Sequence, residues 1–331
     1  MQQVVSSEEL LAAALQVYEQ GKHPLTAMFG RDETLNGAGY AIYCCFELPE
    51  KRDVHIVKGV FPAEGTLSYE SLTHAIPAAA WYEREIHDMF GLVPEGHPDL
   101  RPLVLHESFP EDFHPLRKSV AVNAKVRGER KFKIRTAKGQ GLFQVPVGPI
   151  HAGIIEPGHF RFSQAGEAML QLDAKLFFTH RGIEKAVEGK TPEEALHIVE
   201  RICGACNVAN TWSFCQTVEK AAGVAVPRRA EIIRTLLSEL ERITNHVGDL
   251  GNMPAGVGFN PAISLGSRLK EQLMRLCEAV AGNRFLRGVI VPGGVRQDIT
   301  PELIEYIHEV MDATAQGVED LAAMFREQEN F

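Results

Sequence analysis

Residues 191–206 read TPEEALHIVERICGAC, which joins a strong helix start to a close cysteine pair. Thr191, Pro192 and Glu194 predict a capped helix, because the threonine oxygen and a glutamate three residues later can pair with free backbone N–H groups at the helix start. Downstream, apolar residues recur at helical spacing over 232–247 and 265–280, and Thr300 with the following proline opens another helix. The sequence therefore predicts a mainly helical region around the cysteines.

The cysteine pair is the sharpest chemical signal. Cys203 and Cys206 lie three residues apart, which places them on one helix face or in one tight turn, so that two thiolates can bind one metal ion. Sulfur ligands favour zinc, nickel, copper(I) or iron–sulfur iron. The spacing alone also permits a redox-active dithiol or structural thiols. No second such pair follows Cys206.

The other cysteines carry no such signal. Cys215 and Cys277 fall on helical stretches and are expected in the core. Cys44 and Cys45 are adjacent in a predicted strand and should point to opposite faces.

Composition bounds the class of protein. The chain has 331 residues, a length that is typical of two domains. Its net charge of -9 argues against nucleic acid as the main partner. No apolar run approaches the roughly 20 residues that span a bilayer, and the polar start is not a signal peptide. We therefore expect reduced cysteines, a cytoplasmic location and membrane contact only through partner subunits.

The first part of the chain predicts a small α+β domain. Ser6 and Glu9 form a possible capping box before a first helix, residues 39–48 and 53–61 are rich in strand-forming residues, and residues 78–90 have helical spacing. A loop rich in proline, glycine and histidine follows over 91–115.

Two later segments complete this organisation. Residues 117–138 concentrate lysine and arginine, typical either of a solvated linker or of a docking strip for an acidic partner. Alternating apolar residues on both sides of Ala165 and Gly166 predict a β-hairpin.

The motifs around the cysteine pair resemble those of one enzyme family. Arg201–Cys206 (RICGAC) is similar to the N-terminal metal-binding motif of nickel–iron hydrogenase large subunits. Residues 148–151 (GPIH) and 156–160 (EPGHF) resemble the opening loop of the energy-converting group. Residues 179–185 (THRGIEK) resemble that group and also the D-type subunit of respiratory complex I.

The N-terminal motifs resemble the C-type subunit of complex I: WYERE at 81–85, DMFG at 88–91, GHPDLR at 96–101 and HPLRK at 114–118. A C-type domain fused to a cysteine-bearing, D-type domain resembles large subunits of the formate hydrogenlyase type. The resemblance covers most of residues 70–300, and residues 1–70 add little. It implies an α+β docking domain over 1–119, a basic linker over 120–140, and a mainly α domain with a small β-hairpin over 141–331, truncated at its C-terminus.

The resemblance implies a nickel–iron centre held by Cys203 and Cys206 together with a second, C-terminal pair that this sequence lacks. It implies interconversion of hydrogen with protons and electrons, with 4Fe–4S clusters in partner subunits. The partners would be an iron–sulfur small subunit and complex I-like hydrophilic and membrane subunits, on the inner face of the cell membrane.

The resemblance also assigns residues to roles. Glu156 would relay protons, although a loop glutamate paired with a cation is an alternative. His151 and His159 lie in the same loop, where anchoring roles are favoured. Asn210 stands where this family usually has histidine and can still donate a hydrogen bond near the metal. Arg181 would lie near the partner's iron–sulfur cluster, unless it is a plain surface arginine.

A charged cluster in the C-type region is expected to dock a partner protein of the complex rather than to act as an acid–base site. Its members are Glu83, Arg84, Glu85, His97 and Arg101. Two other functions stay open: a quinone-facing, complex I-like subunit without nickel, and a non-catalytic assembly scaffold. Metal content separates the first of these from a hydrogenase.

Overall fold

The computed structural model describes residues 2–131, 133–151 and 155–327, and it divides into two compact units, Met1–Lys185 and Ala186–Phe331. We expected a break at the basic segment 120–140. Within this segment, however, Arg130 is buried against Asp88, so these residues belong to the first unit. The break between compact units therefore follows Lys185. The family boundaries at 119 and 141 stay a prediction.

The first unit opens with a four-stranded sheet in the order β1-β4-β3-β2, in which β1 runs parallel to β4 and the other pairs are antiparallel. Helices α1 and α2 pack on it, and a short parallel pair, β5 and β6, follows. The elements are β1 Gln2–Ser6, α1 Leu10–Gly21, β2 Leu25–Asp32, β3 Tyr40–Leu48, β4 Asp53–Phe61, β5 Ser68–Glu70, α2 Ala80–Phe90 and β6 Val93–Glu95.

The predicted helices and strands of this region are confirmed, whereas β1 and β2 were not predicted. The start of α1 differs in detail from the expected capping box. The Ser6 backbone N–H donates to the Glu9 carboxylate at 3.1 Å, but the Ser6 hydroxyl also donates to it, at 2.9 Å, instead of capping the helix. Cys44 is buried and Cys45 half-buried in β3, as expected for opposite faces.

A second sheet of three antiparallel strands completes the first unit: β7 Phe143–Val147, β8 His159–Ala165 and β9 Ala168–Lys175. The predicted hairpin is confirmed, and β7 was not predicted. The buried side chains of this three-stranded sheet are polar. Ser163 and Asp173 are enclosed, while Met169 is 56% and Leu172 47% exposed. The polar face of this sheet therefore packs on the first unit.

The second unit is built from helices with one short hairpin. Its elements are α3 Ile183–Val187, which begins in the first unit, α4 Pro192–Val199, α5 Asn207–Ala222, α6 Arg228–Asn252, α7 Asn260–Ala281, β10 Ile290–Val291, β11 Gly294–Val295 and α8 Pro301–Arg326. The capping box of Thr191 and Glu194 is present at the start of α4. Cys215 and Cys277 are buried in the core, as predicted. Within the described ranges, none of the helices combines the length and apolar character needed to cross a membrane.

Candidate functional site

The cysteine pair lies in a tight turn between α4 and α5. Cys206 occupies the residue immediately before the first turn of α5, and the Ala205 backbone N–H donates to the Cys203 sulfur at 3.3 Å. Both thiols are partly exposed, and Cys203 lies close enough to Cys206 to raise its pKa. The turn thus brings both sulfur atoms together at the protein surface, as the spacing predicts.

Asn210 lies one helical turn beyond Cys206. Its amide Nδ2 donates to the Cys206 carbonyl at 2.8 Å and to the Cys206 sulfur at 3.3 Å. Burial raises the pKa of the Cys206 thiol to about 11, assisted by the hydrogen bond and charge of Cys203, while the Asn210 amide acts in the opposite direction. A metal ion bound here must displace this proton.

The two ligands offered here are sulfur atoms, which favour a soft or borderline metal such as nickel. Both sulfurs belong to one turn and are partly exposed, so one ion can reach both. Within 2–131, 133–151 and 155–327 no cluster of three or more histidine, cysteine, aspartate or glutamate side chains could hold a metal ion. Within these ranges, Cys203 and Cys206 would supply two ligands of such a centre.

Glu156 and Arg181 lie in the first unit, whereas the cysteine pair lies in the second. Glu156 is exposed and accepts a hydrogen bond from the Thr179 hydroxyl at 3.2 Å. Arg181 is exposed just before α3. The roles assigned to these two residues stay predictions.

The two loop histidines contact main-chain carbonyls. His151 Nε2 lies 2.8 Å from the Gly158 oxygen, and His159 Nδ1 lies 3.3 Å from the Gly148 oxygen. Each ring nitrogen must donate, because a carbonyl oxygen only accepts. The two histidines therefore tie together the ends of the loop that carries Glu156, which supports the anchoring role.

The predicted docking cluster includes buried structural groups, and this corrects the expectation. Glu83 is fully buried and accepts hydrogen bonds from the Ser71 hydroxyl at 2.7 Å and the Leu72 backbone N–H at 2.8 Å. The His97 side chain is 2% exposed, and its Nε2 lies 3.1 Å from the Ala80 carbonyl oxygen. Neither side chain can face a partner protein, because both are buried. Both hold the loops around α2 through hydrogen bonds.

The arginines of the cluster also bind within the unit. Arg84 Nε donates to the Arg101 carbonyl at 2.8 Å. Arg101 forms ion pairs with Asp99 at 2.8 Å and Asp173 at 2.9 Å. Glu85 is half-buried, and burial raises its pKa, with the charges of Glu184 and Asp88 adding to the shift. These three partly exposed residues, Arg84, Glu85 and Arg101, keep the docking role as a prediction.

Three family models match successive parts of the chain. Residues 3–126 match the 30 kDa subunit of respiratory-chain NADH dehydrogenase, residues 181–249 match nickel-dependent hydrogenase, and residues 257–331 match the 49 kDa subunit of respiratory-chain NADH dehydrogenase. The cysteine turn and Asn210 fall inside the hydrogenase match. The first match also corrects the expectation that residues 1–70 add little.

Relatives that match most of the chain include hydrogenase components and NADH-quinone oxidoreductase C/D subunits, such as that of Phocaeicola vulgatus, which is 28% identical over 88% of this chain and 59% of that protein. The chain is 36% identical to hydrogenase-4 component G of Escherichia coli, over 93% of this chain and 57% of that protein. It is 33% identical to formate hydrogenlyase subunit 5 of the same organism, over 92% and 54%. It is 34% identical to membrane-bound hydrogenase subunit alpha of Pyrococcus furiosus, over 51% and 41%. The chain is thus similar to fused C/D-type hydrogenase large subunits. It spans about half the length of these relatives.

Two residues that contact the cysteine turn were not predicted from the sequence. Glu241 and Asn245 of α6 bind main-chain groups on either side of Cys206. One signal was available: Glu241 follows Leu237 by four residues, which places a carboxylate beside the buried stripe of α6.

Proposed function

We propose that this protein is the large subunit of a membrane-attached nickel–iron hydrogenase that interconverts hydrogen with protons and electrons. The observation that carries the proposal is the turn that brings Cys203 and Cys206 together under the Asn210 amide, inside the segment that matches nickel-dependent hydrogenase. The relatives' names, hydrogenase and formate hydrogenlyase, support the same reaction.

In this proposal, Cys203 and Cys206 act as thiolate ligands of a nickel–iron centre whose other ligands lie outside the described residues. When bound, this centre supplies the heterolytic cleavage of hydrogen. Asn210 orients the Cys206 sulfur through its amide donor. Glu156 takes up and releases the proton, and the histidine-anchored loop fixes its main chain.

Electrons pass to or from 4Fe–4S clusters in an iron–sulfur small subunit, and Arg181 lies on the side that faces this partner. Further complex I-like hydrophilic and membrane subunits attach the complex to the inner face of the cell membrane. The name of the Pyrococcus relative, a membrane-bound hydrogenase subunit, supports this arrangement. The matches to the 30 and 49 kDa subunits support a C-type α+β domain followed by a mainly helical D-type domain.

Elemental analysis of the complex, purified with its partner subunits, tests the hydrogenase assignment. We expect stoichiometric nickel in the wild type and loss of nickel in Cys203→Ala and Cys206→Ala. Cys45→Ser is the matched control, because this half-buried thiol lies in β3, far along the chain from the turn. Nickel that survives both alanine substitutions, or iron without nickel in the wild type, contradicts the proposal.

A quinone-facing, complex I-like subunit is the second candidate, and the matches to the 30 and 49 kDa subunits favour it. It predicts quinone reduction without nickel. A non-catalytic scaffold predicts neither activity. The paired thiols favour the hydrogenase over both.

The proton-relay role of Glu156 has its own test. Glu156→Gln keeps the shape and the Thr179 contact but removes the basic group, so proton–deuterium exchange should fall about 100- to 10,000-fold. Glu167→Gln, an exposed change in the turn between β8 and β9, is the control. Exchange that is equal in both variants excludes the role.

A further inference from the structure

We infer that Glu241 and Asn245 of α6 are positioning residues that hold the Cys203–Cys206 turn in its metal-binding geometry. The inference rests on the proposed function, because it assigns these side chains to the same cysteine pair. Neither residue contacts the sulfur atoms in any hydrogen bond of the described structure; both act through the main chain on which the cysteines are carried.

The start of α5 needs a capping group that its own sequence does not provide. The position before the first turn, where serine, threonine, aspartate or asparagine usually caps a helix, is taken by Cys206, whose side chain makes no capping hydrogen bond. The Glu241 carboxylate fills this role from the neighbouring helix. It accepts the backbone N–H of Val208 at 2.7 Å and that of Ala209 at 3.2 Å.

These two N–H groups are those of the second and third residues of α5, which a local capping residue would satisfy. A carboxylate is also favoured at a helix start by the helix dipole. A cysteine can therefore occupy the capping position, because Glu241 of α6 accepts the free N–H groups of the first turn of α5.

Asn245 holds the other side of the turn. Its amide Nδ2 donates to the carbonyl oxygen of Ala205, the residue between Gly204 and Cys206. Glu241 and Asn245 are four residues apart on α6, so they project from one helix face towards the same segment. One rigid helix therefore fixes the peptide before Cys206 and the helix turn after it.

Burial makes this arrangement specific. Glu241 is half-buried, and a carboxylate in that environment is costly unless its oxygens are paired. Both of its oxygens are paired with the first turn of α5. Without the carboxylate, the first turn of α5 loses its cap, and Cys206 is held less firmly beside Cys203 in the position that binds one metal ion. Groups that orient metal ligands in this way typically change metal affinity about 10- to 100-fold.

Binding of phenylarsine oxide to the full chain tests the geometry without any metal. This reagent forms a stable ring only with two thiols held close together. We expect Glu241→Ala and Asn245→Ala to weaken its binding, with Glu241→Gln intermediate because the amide still offers one acceptor oxygen. Glu239→Gln is the matched control, a change two residues earlier on α6 at a partly exposed glutamate. Circular dichroism verifies folding, and the size-matched glutamine variant keeps the test valid if an alanine variant does not fold.

Nickel binding to the same variants, followed by thiolate-to-metal absorption, is the second readout. We expect affinity to fall about 10- to 100-fold in Glu241→Ala and to recover in part in Glu241→Gln. If the wild type binds the arsenical but not nickel, the arsenical series alone decides the positioning role, and the metal content of the purified complex decides the hydrogenase proposal separately. If nickel binds and folded Glu241→Ala and Asn245→Ala match the wild type in both assays, the positioning role is wrong and the hydrogenase proposal stands.

Discussion

Gly251 of α6 and Gly266 of α7 meet backbone to backbone: a Cβ atom on Gly266 would lie 2.2 Å from the Cα of Gly251. Both residues are buried, and neither neighbour is a flexible side chain that could move aside. Because only glycine lacks a Cβ, this pair permits the close crossing of the two helices. The crossing fixes α6, which also carries Glu241 and Asn245.

We therefore predict that Gly266→Ala destabilises the protein. The added methyl group must push the two backbones apart, and overpacking of this kind costs about 1–3 kcal/mol. The greater helix propensity of alanine offsets up to about 1 kcal/mol of this. Urea unfolding followed by circular dichroism measures the difference in the free energy of unfolding.

Gly256→Ala is the control, because a Cβ at that position meets no atom within 4 Å. Its effect should stay within about 0.5 kcal/mol. If Gly266→Ala is as stable as Gly256→Ala, the close crossing does not constrain the helices.

The buried ion pair of Asp88 and Arg130 gives a second prediction. Arg130 NH1 donates to Asp88 at 2.9 Å, and the other carboxylate oxygen accepts the backbone N–H groups of Leu103 and Val104, both at 2.9 Å. Arg130→Met leaves this carboxylate buried without its cation, which should cost about 3–5 kcal/mol. Urea unfolding is the measurement. Arg127→Met, an exposed change in the same basic segment, should have little effect.

The same residues show where sequence reasoning succeeds and where it stops. The helix start at Thr191 and the pairing of Cys203 with Cys206 are local, so spacing along the chain predicts them. Arg130 reads as one of many cations in a basic linker, since its partner Asp88 is 42 residues away in sequence. A long-range pair of this kind leaves no periodic signal.

Glu83 illustrates the same limit for carboxylates. Charged residues are usually exposed, which favours a docking role. The groups that allow its burial include the Leu72 main-chain N–H, and a backbone donor has no residue-type signature in the sequence. Alternation in the β8–β9 hairpin predicts strands correctly, but an apolar face is expected inside, and here Ser163 and Asp173 are the enclosed side chains.

The Glu219–Arg234 pair predicts a pH dependence of stability. Arg234 NH2 lies 2.6 Å from Glu219 in the core of the second unit, and the hydrogen bond from this guanidinium holds the pKa of Glu219 below its ordinary value of 4.5. A carboxyl whose pKa is lowered by folding stabilises the protein above its unfolded pKa, and this contribution disappears as the pH falls through the folded pKa.

Glu219→Gln should therefore cost about 3–5 kcal/mol near neutral pH, because Arg234 stays buried without its anion. The gap to the wild type should begin to shrink as the pH falls below 4.5, where the unfolded carboxyl takes up a proton, and should close as the folded carboxyl is protonated at its lower pKa. Urea unfolding at several pH values measures this convergence, with the exposed Glu309→Gln as control. A gap that is constant down to the acid limit means that the ion pair does not set the stability.

Asn210 yields the last prediction, which concerns the metal-binding turn itself. Its Nδ2 atom donates to the Cys206 sulfur at 3.3 Å and to the Cys206 carbonyl at 2.8 Å. Asn210→Ala removes this donor and should weaken nickel binding about 10- to 100-fold. Asn210→Asp should weaken it further at neutral pH, because an acceptor oxygen then faces the sulfur where a donor stood. Competition with a chromophoric chelator measures the affinities. Gln216→Ala, exposed on the same helix, should bind nickel like the wild type. Equal nickel affinities in Asn210→Ala and Gln216→Ala would show that the Asn210 amide does not support the Cys206 ligand. Affinity that decreases from the wild type to Asn210→Ala and again to Asn210→Asp would establish that it does.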